Sequence, residues 1–262
     1  MKYPSSEKSI IALETWLKTP PGSYVRTWEQ AQLDVLTADI FGFNAMQIGL
    51  PQIDCLRANR MPKKWRTDTH LQAADAADGS TQIVVVHDFE ELPFASHSLD
   101  LVVLPHVLEF AVEPHQVLRE VERVLIPEGQ LIVCGFNPAS LWGLRQIAGN
   151  FSNAHFLPED GEFIGLPRLK DWLKLLNMEV GRGHFGCYAP SCKSERWLKR
   201  FSFMEKAGER WWPYFGAVYM VHAIKRVRGM HLIGPAWAKK PQKLPKGVPV
   251  TNKYHRKKNG QN

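Results

Sequence analysis

Three short apolar runs decide the fold: IVVV at Ile83–Val86, LDLVVL at Leu99–Leu104 and LIVC at Leu131–Cys134. Each is too short for a buried helix and is rich in β-branched residues, as strands buried on both faces are. Between the second and third lies an amphipathic segment. Val117, Leu118, Val121, Val124 and Leu125 repeat at helical spacing, with Pro114 near the start. Pro127-Glu128-Gly129 then predicts a turn into the next strand. Apolar run, loop, helix, turn and apolar run again is the pattern of a parallel α/β sheet. Ligands of such sheets sit outside the carboxyl ends of the strands. Asp88, Pro105-His106 and Phe136-Asn137 therefore fall on one rim.

Composition narrows the class. A hydrophobic fraction of 44% and a charged fraction of 23% over 262 residues suit a globular α/β domain with additions. No apolar run approaches a membrane span, and the polar stretch Met1–Lys8 predicts no secretory leader. Four scattered cysteines without a C-x-x-C pair argue against a zinc site and for a reducing, cytoplasmic setting. His106 and His115 are too loosely spaced to suggest a metal, and none is assigned. The net charge of +7 is unevenly spread. From Lys225 onward there are 11 Lys and Arg and no acid, which leaves a mildly acidic body.

Working outward, Ile10, Leu13, Trp16 and Leu17 predict a helix over residues 5–18, ended by Pro20-Pro21-Gly22. A second helix is expected from Thr27, as N-cap, to Phe41, with Gly42 as its stop. NAMQIGL, Asn44–Leu50, reads as the first strand. No convincing apolar run marks a second strand between Pro51 and Gln82, and residues 72–81 read as a surface loop. Pro167–Asn177 reads as a helix, and Met178–Gly186 with Ala217–Ile224 as a closing strand pair. Asp100 interrupts an apolar strand and requires a hydrogen-bond partner there.

The block Asp88-Phe89-Glu90-Glu91-Leu92-Pro93-Phe94, then Ser98-Leu99-Asp100-Leu101-Val102, then Leu118-Arg119-Glu120-Val121-Glu122-Arg123-Val124-Leu125-Ile126-Pro127-Glu128-Gly129 resembles the centre of class I S-adenosylmethionine-dependent methyltransferases. The resemblance implies a Rossmann-like α/β fold. Its sheet is mostly parallel, with seven strands, an antiparallel last strand and helices on both faces. It implies S-adenosyl-L-methionine as cofactor and in-line methyl transfer as the reaction. Aligned on the first strand, Gln47 stands at the family's acidic position and Gly49 at the first glycine of its G-x-G-x-G loop. Pro51 and Ile53 stand at the other two glycines. By resemblance Asp68 is the candidate for the ribose hydroxyls and Asp88 for the adenine amino group. Phe89 and Pro105 complete the cofactor residues, and His106 is the candidate general base.

Three segments are expected: a helical stretch over 1–43 packing on the core, an α/β domain over 44–228, and a disordered basic tail over 229–262. A cap or insertion around 188–216 carries Trp197, Phe201, Phe203, Trp211, Trp212, Tyr214 and Phe215. The expected function is methylation of a small molecule or another acceptor, by a monomer or homodimer. Nucleic acid is a less favoured partner, reached through the tail. Gln47, Pro51 and Ile53 motivate the alternative, a catalytically inactive binding or scaffold protein with the same fold.

Overall fold

The computed structural model of the chain describes residues 6–68, 83–86, 89–152, 156–157 and 161–227, without the side chains of 6–11, 68, 83–86, 150–152 and 182. Seven strands form one sheet: β1 (Asn44–Ile48), β2 (Lys63–Asp68), β3 (Ile83–Val86), β4 (Leu99–Pro105), β5 (Leu125–Phe136), β6 (Met178–Gly186) and β7 (Val218–Lys225). Their order is β3-β2-β1-β4-β5-β7-β6. The first five are parallel, and β7 runs antiparallel between β5 and β6. The chain divides into two units, Met1–Val227 and Arg228–Asn262. The expected loop over 72–81 and the tail over 229–262 lie outside the described residues.

The central strands are the apolar runs. Leu101, Val102, Val103 and Leu104 of β4 and Leu131, Ile132 and Val133 of β5 are buried. Their alternate side chains enter two separate apolar clusters, so both faces of the sheet are covered. Asp100 finds the partners its position demands: its carboxylate accepts from the Phe43 and Asn44 amides at 3.0 and 2.9 Å.

Three local expectations change. The helices α1 (Ser6–Leu17) and α2 (Pro20–Ala38) are separated by two residues only. Pro20-Pro21 opens α2 instead of merely closing α1, because a first-turn proline lacks only a donor that the helix does not use. Thr19 is the N-cap, while Thr27 lies inside the helix and donates to the Ser23 carbonyl. β5 begins at Leu125, before the Pro127–Gly129 turn. The turn is a bulge within the strand, with Glu128 at φ 65° and the register stepping from Leu99–Leu125 to Leu101–Gln130. β2 exists although it reads KKWRTD. Its buried positions hold Arg66 and Thr67, not aliphatic side chains, so it shows no apolar run.

The remaining helices are α3 (Val107–Phe110), α4 (Pro114–Val124), α5 (Leu141–Ser152), α6 (Leu166–Leu175), α7 (Glu195–Arg200) and α8 (Phe203–Trp211). α7, α8 and a short turn, Pro213–Phe215, fill the connection between β6 and β7. That connection leaves the end of β6 and enters the start of β7, so it stands at the same rim as the carboxyl ends of the parallel strands.

Candidate active site

The strand order reverses between β1 and β4, which is where an open α/β sheet forms its crevice. At the end of β1, Gly49 takes φ 70°, a backbone conformation that suits glycine. Its amide donates to the Thr67 carbonyl of β2 at 2.7 Å. This sets Gly49 beside the last pair of β2, Thr67-Asp68. The direction a side chain would take from Gly49 meets Val107 Cγ2 at 3.3 Å and the Phe89 ring at 3.4 Å. Gly49, Phe89 and the segment after Pro105 are thus brought together. Asp68 is the final residue of β2, and Asp88 lies outside the described residues.

Gln47 is fully buried, and its side chain organises the loop that follows. Its amide nitrogen donates to the carbonyls of Gly49, Leu50 and Ile53 at 3.1, 3.0 and 2.8 Å. Its oxygen accepts from the Cys55 amide at 3.0 Å. An acid at this position would supply no donor for those three carbonyls. Two further groups hold the loop from outside. Gln30 on α2 exchanges two hydrogen bonds with the Asp54 backbone, at 2.8 and 3.1 Å. Arg66 of β2 makes an ionic contact with Asp54 at 3.0 Å, although its Nε is buried without a hydrogen-bond partner. Ile53, Cys55 and Leu56 point into the core.

At the end of β4, Pro105 pairs with Cys134 of β5, and His106 follows in the left-handed region at φ 55°. The His106 ring is 1% exposed. It donates through Nε2 to Glu29 Oε1 of α2 at 2.7 Å and through Nδ1 to Glu109 Oε2 of α3 at 2.8 Å. Glu109 Oε1 accepts from the Phe136 amide at 2.5 Å, and the Phe136 ring lies 4.3 Å from the imidazole. Glu29 Oε2 is buried without a hydrogen bond. Burial works against charge on the imidazole, but the two carboxylates prevail and hold its pKa up to about 10. Burial pushes the Glu109 carboxyl up, against the pull of His106. His106 is therefore an imidazolium at neutral pH with both nitrogens engaged.

Neither carboxylate was singled out by sequence reasoning, and each left a trace. Glu109 stands three residues after His106, the spacing of neighbours on a helical turn. Glu29 lies midway between Val25 and Leu33 at i, i+4, i+8, on the stripe that α2 buries. An acid in that stripe needs a buried partner. Three buried thiols, Cys55, Cys134 and Cys187, are pushed well up by burial and then by the Glu29 charge, so they stay neutral. Among the described residues no group of three or more His, Cys, Asp or Glu is arranged to hold a metal.

A glycine turn at the switch point with an aromatic ring beside it is a place where an open α/β sheet can hold a nucleoside such as that of S-adenosylmethionine. The loop offers less. The amides of Gly49, Ile53, Asp54, Cys55 and Leu56 all donate within the protein, and Pro51 has none to offer.

Comparison with known proteins agrees with the topology. Residues 63–133 match a family model described as a methyltransferase domain. The uncharacterized protein YafS of Escherichia coli (strain K12) is 33% identical over 182 residues, which cover 69% of this chain and 71% of YafS. Among solved structures, the chain resembles the complex of the Haloferax volcanii Trm112 methyltransferase activator with a putative methyltransferase. The TM-score is 0.58 at 16% identity, covering 83% of this chain and 97% of that one. It also resembles a methyltransferase of Thermotoga maritima described as a possible histamine N-methyltransferase. There the TM-score is 0.55 at 16% identity, covering 78% and 92% of the two chains. At such identities the structures speak for the fold alone. The chain thus belongs to one family with YafS, carries a methyltransferase domain over residues 63–133, and has the seven-stranded Rossmann-like sheet of class I S-adenosylmethionine-dependent methyltransferases.

Proposed function

We propose that the chain binds S-adenosylmethionine across the carboxyl ends of β1, β2 and β4 and methylates a small-molecule acceptor. The observation that carries this reading is the meeting of Gly49, Phe89 and Val107 where the strand order reverses, next to Thr67-Asp68. In this reading Asp68 accepts from the ribose hydroxyls, Asp88 from the adenine amino group, and Phe89 flanks the base. Gln47 and Gly49 shape the turn beneath it, and Pro105 forms the rim. The cofactor, when bound, supplies an electrophilic methyl group on a sulfonium. The chain's own part is to orient the reactants and exclude water.

His106 takes a different role from the base expected of it by resemblance. An imidazolium that donates from both nitrogens has no lone pair with which to accept a proton. We assign it the positioning of the turn after β4, which it ties to α2 through Glu29 and to α3 and β5 through Glu109. Acceptors that transfer without first losing a proton need no base.

A second reading, a methyltransferase-fold binding protein without catalysis, draws on a different observation. The amides of Gly49, Ile53, Asp54, Cys55 and Leu56 already donate within the protein, and Pro51 has none to offer. Calorimetric titration with S-adenosylmethionine and with its demethylated product separates the two. The expected result is binding at about tens of micromolar or tighter, corresponding to roughly 6–7 kcal/mol, and weaker by about tenfold in Asp68→Ala through loss of a charged hydrogen bond. No heat with either ligand removes the enzyme reading and leaves the second.

A further inference from the structure

The connection between β6 and β7 presents an aromatic surface to solvent. Trp197, Phe203, Trp211, Tyr214 and Phe215 are 51, 64, 73, 70 and 57% exposed, and Trp212 is 42% exposed. Soluble chains bury most of their aromatic area, so several such residues within one short stretch of chain mark an interaction surface. The surface is built, not frayed. Trp197 stacks on Phe201 with ring centroids 5.9 Å apart, and Phe201 meets Phe203 at 6.4 Å. On the inner side of α8, Gly208 packs against the Tyr188 ring, and Glu205 accepts from the Tyr188 amide at 3.0 Å and from the Tyr24 hydroxyl. α8 is thereby fastened by one face and leaves the other free. Phe203, Lys206, Ala207 and Arg210 share that free face at helical spacing, with Trp211 at its flank.

Charge selects the occupant. Residues 193–215 carry six Lys and Arg against three Glu, on a body that is otherwise acidic. Lys193, Arg196, Lys199, Arg200, Lys206 and Arg210 are all exposed. Of the three acids, Glu205 is turned inward and Glu195 is paired with Lys199 at 2.7 Å. Trp, Tyr and Phe interspersed with Lys and Arg is the composition of a bilayer interface, where rings sit at the headgroup level and long cations reach past them. A protein interface would be depleted of lysine. The same chain also carries nine basic residues and no acid from Arg228 onward, a second cationic signal of the kind that stable attachment to an anionic leaflet requires.

From this juxtaposition we infer that the α7–α8 insertion docks on an anionic phospholipid surface, rings entering the headgroup region and flanking cations facing the lipid phosphates. No described helix is long and apolar enough to cross a membrane, so the contact is peripheral. It places the carboxyl-end rim toward the bilayer, where an acceptor dissolved in the interface would be met.

Co-sedimentation of the full chain with vesicles tests this. The vesicles are equimolar phosphatidylglycerol and phosphatidylcholine, or phosphatidylcholine alone. The chain is expected to bind the mixed vesicles at least about tenfold more tightly than the zwitterionic ones, an advantage that salt erodes. The double variant Phe203→Ser, Trp211→Ser is expected to weaken binding to the mixed vesicles by about tenfold or more, because the rings enter the interface. Both positions are exposed, so its thermal midpoint should match the parent's. Brominated acyl chains should quench tryptophan fluorescence in the parent and quench it less in the variant. Absence of binding to mixed vesicles overturns the inference. So does binding that the double variant leaves unchanged, since the tail would then act alone. If the same pair of residues governs self-association or RNA binding while vesicles are ignored, the occupant is a different one and the inference fails.

Discussion

After β4 the rim is organised by a buried imidazolium between two carboxyl groups, and after β1 the loop is organised from within by one buried neutral amide, with Gln30 and Arg66 bracing it at Asp54. Glu29, His106 and Glu109 join α2, α3 and the end of β5 through a chain of charge-assisted hydrogen bonds. Gln47 joins only its own loop, through four bonds to backbone groups between Gly49 and Cys55. The two solutions differ in what they tolerate. A buried ion cluster is strong while every member is present and costly once one is lost, because the others remain desolvated and unpaired. A neutral amide satisfies neutral groups, and its loss strands them at a smaller cost each. The difference suggests that the β4 side positions whole elements and the β1 side closes a loop.

The largest expected effect breaks the charged side. His106→Ala leaves Glu29 and Glu109 facing each other in the core and should destabilise the fold by about 3–5 kcal/mol, read from denaturant unfolding. A cost near that of an ordinary surface substitution would mean that the cluster holds nothing together. A smaller effect is expected on the neutral side. Gln47→Glu restores the acid usual in the family, yet it replaces the donor that three carbonyls share. It should cost about 1–3 kcal/mol at neutral pH and recover part of that when acid protonates the new carboxyl. If the variant is as stable as the parent across pH, the amide is not what shapes the loop.

The smallest effect sharpens the comparison through pH. The folded pKa of His106 is raised from the ordinary 6.5 to about 10. Its contribution to stability is therefore fully present below about pH 6.5 and is lost as pH rises toward 10. Glu109, raised by burial, changes stability in the same direction from the carboxylate range upward. Glu29→Gln removes one of the two charges that hold the imidazolium, so the His106 loss should be complete at lower pH than in the parent. Thermal midpoints measured across neutral and alkaline pH follow it. An alkaline decline identical in the two proteins would show that another group is responsible.

Parts of this molecule were legible in the chain for clear physical reasons. β3, β4 and β5 are buried on two faces, so their sequences are continuous aliphatic runs that solvent exposure would not permit. α4 shows its face because one side is core and the other is water. β2 was illegible because its buried places are taken by Arg66, which meets Asp54 in an ionic contact, and Thr67, whose hydroxyl donates to the Gln47 carbonyl, both partners lying elsewhere in the chain. The start of α2 is ambiguous in the chain because a proline pair can break one helix and equally begin another.

The strands β3, β4 and β5, the helix α4, the resemblance of the 88–129 block and the weak glycine loop after Gly49 were all decided by local chemistry, and the sequence by itself determined them. Only the tertiary structure decided what Gln47, Glu29 and His106 do. Their partners lie as far as 77 residues apart in the chain, and a hydrogen bond between Glu29 and His106 exists only once α2 is packed against the end of β4. Period and propensity report the face on which a residue sits. They cannot report which charge waits on the other side of that face, because that depends on how the whole chain closes.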